Sequence, residues 1–358
     1  MRVLAAWLIA FGLPLPMLPL AHAQSALAAC ERGDGTTLRD RHWRQGQQHP
    51  LVGQVLEGDN PIAVSDGGCT RSPVQQLIVA VWDTIRSGGI VLLGEVHDNP
   101  EHHAVRGDIL RPRLAGPAPA GGLRPAALFE HIRTSQQAQL DAFHAEAARS
   151  GRPGDAADLL RALEWERSGW PSGSVFRPLF QAALGAGLPI LPAGTERERM
   201  RRLMRGDRSD ATKEELARIG MAERMPAAFV DALGAELEAS HCGAVPAAAF
   251  GAMSLAQRYA DAHMAEALVA AARGHGGAFL LAGNGHVRTD RGVPWYVRQM
   301  APGLKVVAVM LVEVAEGKEH RAAYVPRAPD GTAAADYVLF TPRHDRPDPC
   351  EKMRQEKR

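Results

Sequence analysis

Gly88-Gly89-Ile90-Val91-Leu92-Leu93-Gly94-Glu95-Val96-His97 is the stretch from which the fold class is read. A short, wholly apolar run leaves a glycine pair and ends in a carboxylate and an imidazole. The pattern returns as Gly276-Gly277-Ala278-Phe279-Leu280-Leu281-Ala282-Gly283-Asn284-Gly285-His286. Apolar runs without polar alternation read as strands buried on both faces. Ala126–Phe129, Leu188–Leu191, Val306–Val314 and Tyr337–Phe340 are of the same kind. Helical patterns lie between them. Gln75 to Arg86, for example, sets Leu77, Ile78, Val81 and Ile85 on one side. Strands alternating with helices predict an α/β fold with a mainly parallel sheet flanked by helices.

One segment breaks this rhythm. From about residue 196 to 273 the chain is rich in Ala, Arg, Glu, Leu and Met, with no strand-like run. It predicts a helical cap insertion, broken at Pro226 and Pro246. Residues 24–75 read as an irregular N-terminal arm carrying at most a short hairpin, 76–345 as the α/β domain, and 346–358 as a polar tail. Residues 112–125, dense in Pro and Gly, read as an irregular loop.

Composition narrows the function classes. The 358 residues are 46% apolar and 23% charged, which excludes a disordered, collagen-like or multi-span membrane chain. Lys+Arg is 41 against Asp+Glu 40, so the electrostatic footprint of a nucleic-acid binder is absent. At the N-terminus Arg2 precedes an apolar run from Val3 to Leu20 and then Ala21-His22-Ala23, the pattern of a signal peptide over residues 1–23. Leu27-Ala28-Ala29-Cys30 offers a second, lipoprotein-type cleavage before Cys30. Either reading predicts export, to the periplasm or to an outer-membrane attachment in a Gram-negative bacterium. Cys30, Cys69, Cys242 and Cys350 permit two disulfides in three connectivities. No CxxC or CxxCH occurs, which argues against a zinc ribbon and covalently attached haem.

Both GxxH segments place a histidine just past the carboxyl end of a buried strand, where open α/β sheets bind ligands. Glu130 follows a third such run. Glu95, His97, Glu130 and His286 therefore form a candidate rim, with a composition able to hold a divalent metal with open positions. Arg288 is a candidate clamp for a carboxylate or propionate, and Asp290 a candidate to orient His286. The plainer reading of these two is a turn salt bridge. Asp98 or Asn99 reads as a helix cap with Pro100 in the first turn, which puts His102 and His103 at the helix start. In the helical stretch Ser254–Ala272, Tyr259 and His263 are candidate axial haem ligands. There is no GxSxG elbow, Walker loop or Rossmann fingerprint.

At these residues the sequence resembles the ChaN-like haem-binding uptake family, within the Tiki/TraB/erythromycin-esterase superfamily. The likeness is carried by LLGEVHDNPEHH (Leu92–His103), FEH (Phe129–His131) with Gln136–Gln137, and HCG (His241–Gly243). It continues in AQR..D..MA (Ala256–Ala265), AGNGHVRTDRGVP (Ala282–Pro294) and the DYVLFTPR…DPC tail (Asp336–Cys350). The resemblance implies an exported haem-binding protein of haem or iron uptake, an outer-membrane haem receptor as partner, and a homodimer with cofacial haems and tyrosine ligation. The tyrosines are Tyr259, Tyr296, Tyr324 and Tyr337, and no motif selects one. With His102 and His103, Tyr259 and His263 remain the axial candidates. Two positions depart from the family pattern. Ala260 stands where relatives often carry Arg, and His131 where they often carry Met, which adds an imidazole to the rim. The wider superfamily implies an alternative: a metal-dependent hydrolase or peptidase using Glu95, His97, Glu130 and His286, with zinc, manganese or cobalt.

Overall fold

The computed structural model describes residues 49–64, 71–111, 124–152, 154–209, 211–348 and 350–351. The signal peptide, the lipoprotein-type Cys30, Cys69, most of the 112–125 loop and the tail beyond 351 lie outside the described residues. One eight-stranded sheet organises them, in the order β2-β1-β8-β7-β3-β6-β4-β5. The strands are β1 (Val55–Glu57), β2 (Asn60–Pro61), β3 (Ile90–Leu93), β4 (Ala126–Arg133), β5 (Ile190–Gly194), β6 (Ala278–Leu281), β7 (Val306–Glu313) and β8 (Tyr337–Thr341). From β8 to β5 every pairing is parallel; the β1–β2 hairpin joins β8 antiparallel at the edge. The fold is thus the expected mainly parallel α/β sheet.

The apolar runs are continuous because both faces are covered. Val91, Leu93, Ala127, Phe129, Phe279 and Leu281 face one core layer. Ile90, Leu92, Ala126, Leu128, Ala278 and Leu280 face the other. The first layer is made by α1 (Pro73–Arg86), α2 (Pro100–Ile109), α3 (Gln137–Ser150), α4 (Ala156–Ala162) and α5 (Gly173–Gly185). Ser72 starts α1 with a capping box to Gln75, which satisfies two backbone donors.

The cap region contains α6 (Arg197–Met204), α7 (Lys213–Arg218), α8 (Ala227–Ser240) and α9 (Phe250–His275). It is less detached than its composition suggests. Ala262, Ala265, Leu268 and Ala272 of α9 are buried in the same layer as Ile90, Leu128 and Leu280 of the sheet. The 26-residue α9 is therefore both the last cap helix and the crossover into β6, ending at Gly276 in the left-handed conformation. Two short helices follow, α10 (Asn284–Val287) and α11 (Val293–Met300). Among the described residues no helix is long and apolar enough to cross a membrane.

Strand order places the site. From β3 the chain crosses over the future β6 position to β4 and β5; from β6 it turns back past β3 to β7 and β8. The connections reverse direction at β3–β6–β4, and a ligand crevice forms at the carboxyl ends of such strands.

Candidate functional site

The two GxxH loops touch, and their glycines permit it. A Cβ on Gly94 would run into the Asn284 side-chain oxygen and come within 2.8 Å of Val287. A Cβ on Gly283 would sit 2.9 Å from the His97 ring. Only a residue without a side chain allows so close a backbone approach. Backbone bonds join the loops as well, with Ala282 N–H donating to Leu93 and Asn284 N–H to Glu95.

Glu95 is the hub of the first loop. Its side chain is fully buried. One oxygen accepts from His97 Nδ1 and from His131 Nε2, each at 2.7 Å. The other is ion-paired with the buried Arg106 of α2, and His103 Nδ1 lies 3.3 Å away. Burial lowers the Arg106 guanidinium to about 9, which keeps it charged at neutral pH. The aromatic rings of Trp170 and Phe176 close over the cluster. Trp170 stands 4.9 Å from the His97 ring and 4.7 Å from that of His131, and Phe176 also lies 4.7 Å from His131. His97 keeps 39% of its side chain exposed. Its Nε2 has no hydrogen-bond partner among the described residues and lies beside Gly283 of the second loop, so Glu95 fixes one nitrogen and leaves the other without a partner. Burial holds both rings below the usual imidazole range, His131 far below.

Alternation along β4 sends neighbours to opposite faces. His131 joins the Glu95 cluster, whereas Glu130 reaches the second loop. Glu130 accepts from Gly283 N–H at 2.8 Å and lies 3.3 Å from His286 Nε2. The other nitrogen, Nδ1, bonds Asp261 of α9 at 2.5 Å. Burial opposes charge on His286, but Glu130 and Asp261 outweigh it and raise its pKa well above the ordinary value. Glu130 is correspondingly held well below the carboxylate range, against its burial. Burial pushes Asp261 up to about 6, with His286 opposing.

The structure brings Glu95, His97, Glu130 and His286 to one rim, as two neighbouring clusters. Among the described residues, the group whose donor atoms all lie within 4.8 Å of one another is Glu95, His97 and His131. Glu130 is not beyond its strand, because β4 continues to Arg133. Arg288 and Asp290 form a bidentate salt bridge at 3.0 and 2.8 Å, and Arg288 also donates to the Arg327 carbonyl. Asp290 therefore does not orient His286; Asp261 does. Asn99 caps α2, with Pro100 in its first turn. His102 and His103 are fully buried. His102 accepts from Val96 N–H and bonds Thr341; His103 bonds the His97 carbonyl and accepts from Arg106. Tyr259 donates to Glu215 at 2.8 Å, and His263 stands beside it, 3.4 Å from the same carboxylate. The other tyrosine hydroxyls are also engaged, Tyr296 by Arg258, Tyr324 by Ala315 and Lys318, and Tyr337 by Glu57.

Sequence reasoning missed Asp261, Arg106 and Trp170 as site residues. For Asp261 a signal existed. Gln257 and Asp261 are four apart on one helix, and both touch His286. Arg106 lies three residues beyond His103 on the same helix and was equally within reach of the periodicity. Trp170 comes from a loop before α5, and no local pattern points to it.

A comparison with curated proteins gave no match. Among solved structures, ChaN of Campylobacter jejuni, described with cofacial haem binding, is similar with a TM-score of 0.56 and 18% identity. The match covers 80% of this chain and 95% of that one. At that identity the likeness speaks for the fold. The type III effector HopBA1, at a TM-score of 0.39 and 12% identity over 79% of this chain and 97% of that one, carries no argument. The family model for haem-binding uptake, Tiki superfamily, ChaN, matches residues 81–297, which span β3 to β6, both GxxH loops and every residue of the rim. That is more than half of the 358 residues, and the chain belongs to the ChaN family of haem-binding uptake proteins.

Proposed function

We propose that this protein is exported, binds haem in the service of haem or iron uptake, and ligates the iron through His97. The observation that carries the ligand assignment is the partly exposed His97 ring, anchored at Nδ1 by a buried carboxylate and without a hydrogen-bond partner at Nε2 among the described residues. An imidazole ligand whose second nitrogen donates to a carboxylate has a fixed tautomer and raised basicity. Trp170, half-buried beside it, offers an aromatic surface to a porphyrin. These residues fit one axial ligand. The tyrosines do not, because each hydroxyl already has a partner and Tyr259 and Tyr296 are buried. Bound haem would supply iron chemistry; this chain holds the ring, fixes its proton on Nδ1 and shields one side with Trp170. The Cys242–Cys350 disulfide supports export, since such bonds persist in oxidising compartments. Haemin titration of the wild type and of His97→Ala tests the assignment. The wild type should give a saturable Soret shift that the variant loses.

A second reading, a hydrolase, draws support from His286, which has a carboxylate on each nitrogen. Such a ring can hold and move a proton beside a bound substrate. Its test is esterase and peptidase activity in the haem-free protein, lost in His286→Ala.

A further inference from the structure

We propose that the Cys242–Cys350 disulfide is a redox latch. Oxidised, it pins α8 and the C-terminal segment together across the outer side of the crevice. Reduced by an external dithiol, it lets α8 swing away from the second GxxH loop.

The segment after β8 is fastened to the first GxxH loop. The Pro342 carbonyl accepts from Asn99 Nδ2 at 3.1 Å, and His344 N–H donates to Glu313 at 3.2 Å. Arg346 bridges Glu313 and Asp98, the neighbour of His97, each at 2.8 Å. Cys350 stands four residues beyond Arg346, a reach of at most about 14 Å. There the segment is bonded to Cys242, in the turn between α8 and α9. On α9, Gln257 and Asp261 touch His286. One covalent bond thus completes a bridge from the His97 side of the crevice to the His286 side.

Helix α8 is suited to move. Of its 14 residues only Leu233 is buried. Irregular segments at 221–226 and 241–246 flank it. It covers the chain beyond His286 with side chains near the surface: half-exposed Glu236 pairs with the buried Arg291, and the Phe229 ring lies 6.2 Å from that of Trp295. An element that buries so little apolar surface opens locally at a low free energy unless something else holds it. The disulfide supplies that hold. Cys242 has φ +53°, a left-handed conformation uncommon outside glycine and kept only where the surroundings impose it. Both cysteines are partly exposed, so a thiolate can reach the bond. The step is a two-electron thiol–disulfide exchange. The dithiol is oxidised to its own disulfide, and Cys242 and Cys350 each take up one electron and one proton to become thiols.

Amide hydrogen exchange of the haem-free protein tests the latch. Oxidised wild type, wild type reduced with dithiothreitol, and Cys242→Ser/Cys350→Ser are labelled for seconds to minutes. Reduction should speed exchange in α8 by roughly 100-fold, the low end for losing an intramolecular tether. Residues 288–295 should follow, while β3 and β6 keep their protection. The double variant should match the reduced wild type and not respond to dithiothreitol, which assigns the effect to this bond. If circular dichroism shows the double variant unfolded, Cys350→Ser takes its place. Equal α8 exchange in the oxidised and reduced proteins overturns the latch. So does acceleration of α8 and the sheet together, which would make the bond a staple of the whole domain. What the latch releases rests on the haem reading, and haemin transfer to apomyoglobin should be faster from the reduced protein. An equal transfer rate overturns the latch as a gate. Absence of haemin binding counts against the haem reading alone, because the exchange measurement contains no haem.

Discussion

Replacing Glu95 by Gln tests the buried hub. The carboxylate and the Arg106 guanidinium are both fully buried and paired with each other. At neutral pH Arg106 stays charged, since burial lowers it only to about 9. Glu95→Gln leaves that charge without a counter-charge and turns an amide N–H₂ toward groups that themselves donate. Breaking one side of a buried ion pair costs about 3–5 kcal/mol. A domain of ordinary stability, roughly 5–15 kcal/mol, loses a large part of its margin. Urea unfolding followed by tryptophan fluorescence reads this directly, because Trp165 and Trp170 lie against His131. The midpoint should fall by roughly 1 M or more, given slopes of about 1–3 kcal/mol per M. Adding Arg106→Met should recover part of the loss, because the stranded charge is gone. A cost below about 1 kcal/mol for Glu95→Gln, the level of an exposed pair, would refute the buried hub.

Gly94→Ala drives a methyl group into Asn284 and Val287 and should cost about 1–3 kcal/mol, read as a lower Tm. An unchanged Tm would mean that the loops do not meet as described. Burial lowers His102 and His103 to about 3 from 6.5. Both stay neutral in the folded state while the unfolded chain takes up protons, so stability is level above pH 6.5 and falls as the pH drops toward 3. Each contributes a loss of about 2 kcal/mol at pH 5, and His102→Asn should reduce the acid slope by close to one proton, measured by urea titrations across that window. The Cys242–Cys350 bond closes a separation of 108 residues. Replacing both cysteines by Ser should lower stability by about 2–4 kcal/mol, and a dithiol reductant should lower the wild-type Tm in the same direction.

The apolar runs at Ile90–Leu93 and Ala278–Leu281 coincide with β3 and β6, because strands covered on both faces need no alternation. The rim was legible for the same reason: Gly94, His97, Gly283 and His286 directly follow those strands. The end of β4 was not. Glu130, His131 and Arg133 are polar, and only the backbone pairing with β5 shows that they belong to the strand. Asp290 stood close to His286 in sequence and was the natural partner to expect. The chain leaves α10 at Arg288 in an extended conformation, and Asp290 closes on that arginine instead. The partner that holds His286 comes from α9, 25 residues earlier. Helical spacing marks Gln257 and Asp261 as neighbours, but not which loop they face. The burial of Tyr259, His102 and His103 likewise depends on how α9 and α2 seat against the sheet, which residue type alone does not reveal.

The most direct test of haem ligation by His97 is a haemin titration of the purified protein, wild type beside His97→Ala and Tyr259→Phe, followed at the Soret band. The predicted result is saturable binding in the wild type and in Tyr259→Phe, with loss of the ligated spectrum in His97→Ala. No saturable binding in the wild type, or an intact spectrum in His97→Ala with loss in Tyr259→Phe, would contradict it.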